Sequence, residues 1–572
     1  FFPWIQAQLD PVSVLQHNIR DAAALSSKLE SMLGPRGRDK MLLEEDGDVT
    51  VTNDGAKALS VMDVSSPAAR ILVETSQSLD RRIGDGTTSV VVLAGALLRK
   101  SGHWVAHRSS ACRLHPTTII RAFQSVASVC EEFLQLLAYP FAPESEEGRD
   151  LLLHCACVSL QSKIVATAQE HLAQLAVDAC LQCSATADLP LQVHLQSSGS
   201  SFAESRLLEG LVVRCANLTP SLSFPAHDHG PLQCAVCQFP LDKPQSRSFQ
   251  FEMTVTNMEQ MDRMLKEGTR YLRDMALKFR KAGVQVVFLQ EGFSRKPISA
   301  EAVSIFQKAR ILVLGPLKRC EVELLHTTFH CLPLVSPEQL GDPSTMQSSH
   351  MFSIQGIQPL DPEETLVASA DHRVATLLLT PDTRTVVLCG TSQVSVEEVE
   401  RAFHDATCVV RCLLKQPSVV PGGGCCELFL AHQLRQTLHH PGEVPSSGSH
   451  HHSLCQLLSG TTQPRKSTLT PHVPLRELVE CFAESLEHTV RCLCRNCQVS
   501  FASIREQVVE QFSGGVPVAP QRWRGLEGRS RQVVNSWEEG IVEPLAGKWA
   551  QIQLANTACQ SILRISVILT IQ

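Results

Sequence analysis

Three glycine-containing turns in the N-terminal part of the chain carry side chains that could bind a phosphorylated ligand. They are Leu33–Gly37 (LGPRG), Thr52–Ala56 (TNDGA) and Ile83–Ser89 (IGDGTTS). Glycine allows backbone conformations and close approaches that a side chain would block, so backbone N–H groups in such turns suit phosphate. Asp85 stands beside the hydroxyls of Thr87 and Thr88, and Mg²⁺ prefers hard oxygen ligands of this kind. A single Gly-Asp-Gly is more often a plain turn, but the ordered set predicts a phosphate and magnesium site.

The elements that would position these turns follow from apolar spacing. The spacing predicts helices over residues 11–32, 56–62 and 116–138, a further helix from Pro67 to the third turn, and a strand hairpin over 41–51. The mostly apolar segment 89–100 also has the length of a helix. Because it follows Thr88 directly, its N-terminus would point at the bound anion.

A different pattern begins near residue 207, where short strands alternate with helices. Apolar runs predict strands at 211–213, 232–239, 284–289 and 311–314, and a long helix at 256–282. This alternation is typical of an α/β domain. Helical spacing then returns, with a helix predicted over 395–415 and a glycine turn, Gly422–Gly424, that opens another helix.

Length and composition exclude several classes of protein. A chain of 572 residues exceeds what one hydrophobic core usually serves, so two or three domains are expected. The net charge of −7 gives no basic surface for nucleic acid. The longest apolar run, 562–571, is interrupted by Arg564 and is too short to predict membrane insertion. The chain begins with Phe1 rather than methionine, so a targeting peptide cannot be judged.

The 22 cysteines are scattered through apolar segments, which favours buried, reduced thiols in the cytosol over a disulfide framework. The pairs Cys180/Cys183 and Cys234/Cys237 have the CxxC spacing of zinc ligands. The second pair lies in a strand-like run, however, where positions i and i+3 face opposite sides. For His450–His452, in a Gly/Ser/Pro-rich stretch, a solvated loop is favoured over metal binding.

The ordered turns resemble the ATP site of the group II chaperonins, the TCP-1/cpn60 family, whose equatorial domain carries LGPxGxxK, TNDGA and GDGTT in this order. The spacing from Leu33 to Leu98 matches that family without a gap. Within it, segments 46–55 and 90–98 are especially similar to the epsilon subunit of the eukaryotic cytosolic chaperonin. The resemblance continues to about residue 570 and is loosest between 200 and 380.

The resemblance implies roles for the residues of the phosphate end. The phosphates of ATP would be held by Gly34, Pro35, Gly86, Thr87 and Thr88. Asp85 would hold Mg²⁺, and Lys163 would sense the γ-phosphate. Judged on its dipeptide alone, Lys163 fits a surface lysine at a helix end equally well.

The resemblance also implies roles for residues distant from these turns in the sequence. Asp54 and Asp405 would position and activate the attacking water, although a lone acid on a helix is more commonly a solvent-facing charge. Gly422 and Gly423 would contact the nucleoside, and so would Glu543, which stands where the family usually has aspartate. The two halves of the site therefore come from opposite ends of the chain.

This arrangement implies a multi-domain α and α/β protein, a group II chaperonin subunit with discontinuous domains. A helical equatorial domain would comprise residues 1–142 and 412–572. An intermediate domain would comprise 143–206 and 360–411, and an α/β apical domain 207–359.

The chain departs from the family pattern at several places. Asn496-Cys497-Gln498 replaces the usual Asn-Ala-Gly, which puts a side chain where a glycine lets the backbone approach the nucleotide. Residues 436–475 form a Ser/Gly/His/Pro-rich insertion, and 514–530 is a second irregular stretch. Insertions in the C-terminal half are similar to those of the McKusick–Kaufman/Bardet–Biedl syndrome chaperonin-like protein.

The resemblance implies an ATP-binding chaperone that assists protein folding or the assembly of a specific complex. A divergent member of the Bardet–Biedl type, which assists assembly of the ciliary BBSome, is the leading interpretation. An ATP-hydrolysing, epsilon-like subunit of the hetero-oligomeric cytosolic ring and a nucleotide-binding scaffold without turnover are the alternatives. The expected partners are other chaperonin-family subunits and unfolded or assembling client proteins. The expected location is the cytoplasm, with the centrosome or basal body as a narrower site.

Overall fold

The computed structural model divides the chain into two compact units. The first comprises Phe1–Cys180, Leu195–Ser205 and Leu388–Gln572, and the second comprises Leu181–His194 and Arg206–Val387. The residues that the structure describes are 11–43, 47, 49–105, 114–184, 192–196, 201–217, 231–243, 258–291, 298–336, 338–339, 350–359, 374–380, 383–439, 474–512 and 519–565.

The chain from residue 11 to residue 184 is mainly helical. Its helices are α1 (Pro11–Leu29), α2 (Gly55–Val61), α3 (Pro67–Ile83), α4 (Thr87–Val105), α5 (Pro116–Leu137), α6 (Glu146–Leu160) and α7 (Gln169–Ser184). Strands β1 (Lys40–Leu43) and β2 (Val49–Thr52) pair as an antiparallel hairpin, and β3 (Tyr139–Pro140) follows α5. Short 3₁₀ helices cover Glu30–Met32 and Ile164–Thr167.

Strands predominate in the middle of the chain. They are β4 (Gln192–Gln196), β5 (Arg206–Glu209), β6 (Leu211–Asn217), β7 (Leu232–Cys237), β8 (Val286–Gln290), β9 (Leu312–Leu317), β10 (Met351–Ile354), β11 (Gly356–Pro359), β12 (Val374–Leu379) and β13 (Arg384–Cys389). The helices between them are α8 (Met258–Lys281), α9 (Ala300–Lys308) and α10 (Arg319–Phe329). The second unit therefore has the predicted α/β character.

A seven-stranded sheet in the order β10-β7-β8-β9-β6-β12-β11 forms the centre of the second unit. The neighbours β7, β8 and β9 run parallel, whereas the outer pairs are antiparallel. One face packs around Phe279 and Phe306, and the other around Phe288 and Phe352. Cys234 and Cys237 on β7 belong to these two different clusters, so their spacing reflects strand alternation and not a shared zinc site.

The C-terminal part of the first unit is helical again. It contains α11 (Gln393–Lys415), β14 (Ser418–Pro421), α12 (Cys425–His439), α13 (Pro474–Cys497), α14 (Phe501–Glu510), β15 (Arg524–Glu527), β16 (Gln532–Asn535), β17 (Val542–Pro544) and α15 (Leu545–Leu563). Helix α4 is apolar on almost every side and is buried among α1, α3, α13 and α15. Strand β14 lies between β17 and β3 and joins segments that are distant in the sequence.

The predicted fold class, multi-domain α and α/β, is confirmed. Helix ends differ from the expectations by a few residues, the largest difference being α4, which starts at Thr87 and runs to Val105. The structure presents two units, so the five-segment equatorial, intermediate and apical division stays a prediction. Among the described helices, none has the length and apolar character of a membrane span. His450–His452, most of the 436–475 insertion and part of the 514–530 stretch lie outside the described residues.

Candidate functional site

A cavity of about 190 Å³ in the first unit brings together both ends of the chain. Its walls come from the three glycine turns, the segment after α6, α11, α13 and the elements from β15 to α15. The predicted residues that line it are Gly34, Pro35, Asp54, Asp85, Gly86, Thr87, Thr88, Lys163, Asp405, Gly423 and Glu543. Tertiary folding therefore places side chains separated by hundreds of residues around one space.

Asp54 lies at the N-terminus of α2 and contacts the N-terminus of α4. Its carboxylate accepts hydrogen bonds from the N–H groups of Ala56 and Lys57, each at 3.0 Å, which is the usual role of aspartate as a helix N-cap. The same carboxylate accepts a bond of 3.1 Å from the hydroxyl of Thr87. Asp54 therefore ties the second turn to the third at the wall of the cavity.

The third turn depends on two glycines in left-handed conformations. Gly84 ends α3 with φ 77°, and Gly86 has φ 79° before α4 begins. A Cβ on Gly86 would lie 1.9 Å from Nε2 of Gln551, so a side chain there would have to displace Gln551 and would also strain the left-handed backbone. Between the glycines, Oδ1 of Asp85 accepts a hydrogen bond of 2.6 Å from the N–H of Gly86. The turn thus presents a carboxylate and the N-terminus of α4 to the cavity.

Lys163 and Asp405 form a buried ion pair. Their exposed fractions are 9% and 7%, so Lys163 is not a surface lysine and Asp405 is not a solvent-facing acid. Burial lowers the pKa of Lys163, but the Asp405 carboxylate more than offsets this and holds the pKa above its ordinary value. Hydrogen bonds to Asp405 and Cys408 raise the pKa of the adjacent His404 to about 10. Positive charge therefore faces Asp405 on both sides.

Asp80, in the last turn of α3, is a further acid that the sequence analysis missed. Burial and the nearby carboxylates of Asp405 and Asp54 raise its pKa from the ordinary 3.8 to about 6. Among the described residues its Oδ1 atom has no hydrogen-bond partner. The sequence did contain a signal for Asp80: it stands four residues before Gly84 and four after the buried Ser76, so it lies on the same face of α3 as Ser76 and close to the third turn.

At the opposite side of the cavity, Lys548 lies between two carboxylates. Its Nζ is 2.9 Å from Oε1 of Glu427 and 2.6 Å from Oε2 of Glu543. Burial lowers the pKa of Lys548, whereas the two carboxylates raise it well above its ordinary value. Glu543 is held in register by β17, where it stands opposite Val420 of β14. Lys548 and Glu427 were not predicted, because their pairing becomes visible only when α12 and α15 meet.

The glycine turn before α12 makes close contact with β15. Gly423 has φ 62°, and a Cβ there would lie 2.7 Å from the backbone nitrogen of Leu526. Gly424 also lines the cavity. Gly422 is not among the lining residues. Its N–H donates a hydrogen bond of 2.9 Å to the carbonyl of Ile541, which connects the glycine turn to the segment before β17. The role assigned to Gly422 in contacting a nucleoside stays a prediction.

The family of the chain follows from its similarity to known protein families. Residues 25–572 match the model of the TCP-1/cpn60 chaperonin family. The chain belongs to that family. The prediction made from the ordered glycine turns is therefore confirmed at the level of the family.

Curated relatives of this chaperonin include T-complex protein 1 subunit delta from several organisms. The protein from Takifugu rubripes is 30% identical over 567 residues, covering 97% of this chain and 94% of the relative. The Arabidopsis thaliana protein is 29% identical over 570 residues, with 97% and 94% covered. The Homo sapiens protein is 29% identical over 562 residues, with 97% and 93% covered. The similarity to these relatives thus extends over both halves of the chain.

In this chaperonin the Asn-Cys-Gln departure lies at the C-terminal end of α13. Gln498 adopts φ 60°, the left-handed conformation that glycine adopts without strain. Among the described residues of α13, those that line the cavity are Thr489, Val490 and Leu493, which come earlier in the helix. The departure therefore strains the end of the helix, and residues 496–498 are not among the described residues that line the cavity.

A second cluster of chemically active groups joins the 3₁₀ helix after α1 to α13. The ligand atoms of Glu30, His488 and Cys492 all lie within 4.8 Å of one another, a spacing open to a metal ion. Arg99 and Arg495 already pair with Glu30 at 3.0 and 3.1 Å, and Arg99 is 2.7 Å from Nε2 of His488. Two guanidinium groups would repel a dication, so we interpret the cluster as an ion-pair network between elements.

Proposed function

We propose that this chaperonin-family protein binds Mg²⁺ and ATP in the cavity and uses them in a chaperone cycle. The observation that supports this most strongly is the convergence of Asp54, Asp85, Lys163 and Asp405 with three glycine turns around one space. Hard oxygens, a buried ammonium group and a helix N-terminus form a donor set suited to a magnesium–polyphosphate complex.

In this proposal the N–H groups at the start of α4, together with Gly34 and Pro35, bind the phosphates. Asp85 would hold Mg²⁺, which would supply positive charge beside the phosphates. Gly423 and Glu543 contact the nucleoside, and Lys548 keeps the Glu543 carboxylate in place.

Hydrolysis would depend on Asp405 and Asp54, which orient the attacking water and accept its proton. The Lys163–Asp405 ion pair has a consequence for this step. Because an ammonium group has three N–H donors, Lys163 could donate to Asp405 and to a γ-phosphate oxygen at the same time. It would then hold the Asp405 carboxylate close to the phosphate that the water attacks.

The chaperone role would be performed with other chaperonin-family subunits and with unfolded or assembling clients. The β1–β2 hairpin supports association, because Met41, Leu43 and Val49 are 69%, 75% and 46% exposed on a two-stranded sheet. Exposed apolar residues beside open strand edges favour pairing with another chain. We place the protein in the cytoplasm, with the centrosome or basal body as the narrower location.

At a finer level, we propose assistance in the assembly of a particular complex, in the manner of Bardet–Biedl chaperonin-like proteins and the BBSome. The Ser/Gly/His/Pro-rich composition of the 436–475 segment supports this, because such an insertion does not suit a compact ring subunit. The 514–530 stretch, which was expected to be irregular, gives no such support, because its described part contains strand β15 (Arg524–Glu527). A subunit of the hetero-oligomeric folding ring and a nucleotide-binding scaffold without turnover are the alternatives.

Calorimetry with purified protein, Mg²⁺ and ATP tests the nucleotide proposal. We expect stoichiometric binding by the wild type and much weaker binding by Asp85→Ala, with the surface variant Arg121→Gln as the control. No binding by the wild type would show that the cavity is a structural relic.

Native mass spectrometry then separates the assembly proposals. A stoichiometric place in a sixteen-subunit ring supports the folding ring, and a smaller or sub-stoichiometric assembly supports the complex-specific role.

A further inference from the structure

A second, strongly basic cleft lies in the first unit, with a volume of about 700 Å³. Arg81 and Arg82 enter it from the end of α3, and Arg411 and Lys415 enter it from the last turns of α11. We call this space the basic cleft. Glu131 is its one acidic lining residue, and the remaining walls combine apolar residues, most of them on α15, with the amides of Gln135, Gln416 and Gln553.

The four cations of the basic cleft are exposed. In the part of the chain that the structure describes, none of them lies within 4.0 Å of a carboxylate oxygen. The dipoles of α3 and α11 favour cations in their last turns, which explains each position separately. They do not explain why two helices bring their cations into one cleft. Because like charges repel, a bound anion would remove an unfavourable interaction there.

The size and chemistry of the basic cleft select the class of ligand. Its volume falls in the range of roughly 300–1,000 Å³ that is typical of small-molecule sites. Guanidinium groups bind phosphate through paired, parallel hydrogen bonds, and three of the four cations are arginines. The half-buried Trp549 and the buried Leu545 supply an apolar side. We propose that the basic cleft binds a small ligand with two or more phosphate groups.

Three elements connect the basic cleft to the candidate nucleotide cavity. Helix α3 ends at Gly84, and a Cβ there would lie 2.7 Å from Cβ of Cys408 on α11. Helix α11 carries Asp405 at the nucleotide cavity and Arg411 one to two turns later at the cleft. Helix α15 presents Lys548 to the cavity and the adjacent Trp549 to the cleft. The cleft is therefore adjacent to the cavity and shares three of its elements, but its proposed ligand does not depend on the proposed nucleotide-binding function.

The test is calorimetric titration of the full chain with tripolyphosphate, and separately with fructose 1,6-bisphosphate, at about 0.15 M salt. We expect at least one probe to bind the wild type. The variant Arg411→Gln/Lys415→Gln should bind it at least roughly tenfold more weakly, because half of the cations are lost. The matched variant Arg20→Gln/Arg121→Gln, which removes two exposed arginines elsewhere, should bind like the wild type. Tighter binding of tripolyphosphate would indicate that the ligand of the basic cleft is a linear polyphosphate. Tighter binding of fructose 1,6-bisphosphate would indicate a phosphorylated metabolite.

Lys163→Ala distinguishes the basic cleft from the nucleotide cavity. Probe binding that survives Lys163→Ala and weakens in Arg411→Gln/Lys415→Gln supports the proposal, whether or not ATP binds. Binding that is lost in Lys163→Ala and kept in the cleft variant would overturn it, as would no binding of either probe. Thermal melts of each variant, read by circular dichroism, confirm that a loss of binding is not a loss of folding.

Discussion

The two sides of the candidate nucleotide cavity are built in different ways. At the proposed phosphate side, Gly84 and Gly86 fix the backbone of one short turn, and Asp54 caps its own helix. At the proposed nucleoside side, Lys548, Glu427 and Glu543 come from three elements and depend on one another for charge balance. The turns of the first side are local in sequence, whereas the charged group of the second side, like the Lys163–Asp405 pair, exists only when distant segments pack together.

This difference indicates how each side should respond to change. A local turn keeps its shape when one side chain is removed, so substitutions there should alter chemistry more than stability. A buried group of mutually dependent charges should instead lose stability, because removing one member leaves the others unpaired in a poorly solvated place. The following predictions test this contrast, beginning with the largest expected effect.

Lys548→Met should be the most destabilising of the changes considered. It leaves Glu427 and Glu543 facing each other without the ammonium group between them, and removing one partner of a buried ion pair costs about 3–5 kcal/mol. Urea denaturation measures the loss. Lys100→Met, which breaks the half-exposed pair with Glu484, is the matched control and should cost no more than about 1 kcal/mol. Equal losses in the two variants would contradict the contrast between the two sides.

Asp80→Asn should stabilise the protein at neutral pH. The folded-state pKa of Asp80 is raised to about 6 from the ordinary 3.8, so the ionised carboxylate is disfavoured in the fold. The protonated Asp80 carboxyl therefore contributes to the free energy of unfolding below about pH 4. This contribution is lost as the pH rises toward about 6, and the loss amounts to no more than about 3 kcal/mol.

The stabilisation by Asp80→Asn should therefore grow between about pH 4 and pH 6 and stay level above that. Denaturation at several pH values, with EDTA and without nucleotide, measures it. A difference between variant and wild type that does not change with pH would show that Asp80 does not titrate in this range.

Asp405→Asn should lower ATP hydrolysis roughly tenfold or more while ATP affinity stays nearly unchanged. The amide keeps an oxygen that can accept a hydrogen bond from Lys163 but cannot accept the proton of the attacking water. A tenfold loss corresponds to about 1.4 kcal/mol of transition-state stabilisation. Steady-state hydrolysis and calorimetry measure the two quantities. Equal hydrolysis by variant and wild type, or none by the wild type, would leave the protein a nucleotide-binding scaffold.

Gln498→Gly should give the smallest effect, a gain of about 1 kcal/mol in the free energy of unfolding. A non-glycine residue in the left-handed conformation costs roughly 1–2 kcal/mol, and the added freedom of glycine in the unfolded chain offsets part of the relief. Urea denaturation is again the measurement. Gln511→Gly at the end of α14, where the residue is right-handed, should not stabilise the protein.

By itself, the sequence determined the parts of this protein that depend on neighbouring residues. The positions of Gly34, Gly84 and Gly86 follow from turns that need glycine, and the helices on either side follow from apolar spacing. The family could be predicted for the same reason, because its motifs are short and ordered along the chain. Cys234 and Cys237 were correctly placed on opposite faces of a strand, since alternation is a local property.

Only the tertiary structure decided which distant charges meet. Lys163 could equally have been a surface lysine, and nothing near it in the sequence predicts that Asp405 pairs with it. Lys548 is part of an ordinary helical pattern until α15 brings it between Glu427 and Glu543. Arg82 and Arg411 likewise carry no joint signal in the sequence. Electrostatic interactions act through space, so their partners are set by the packing of elements and not by spacing along the chain.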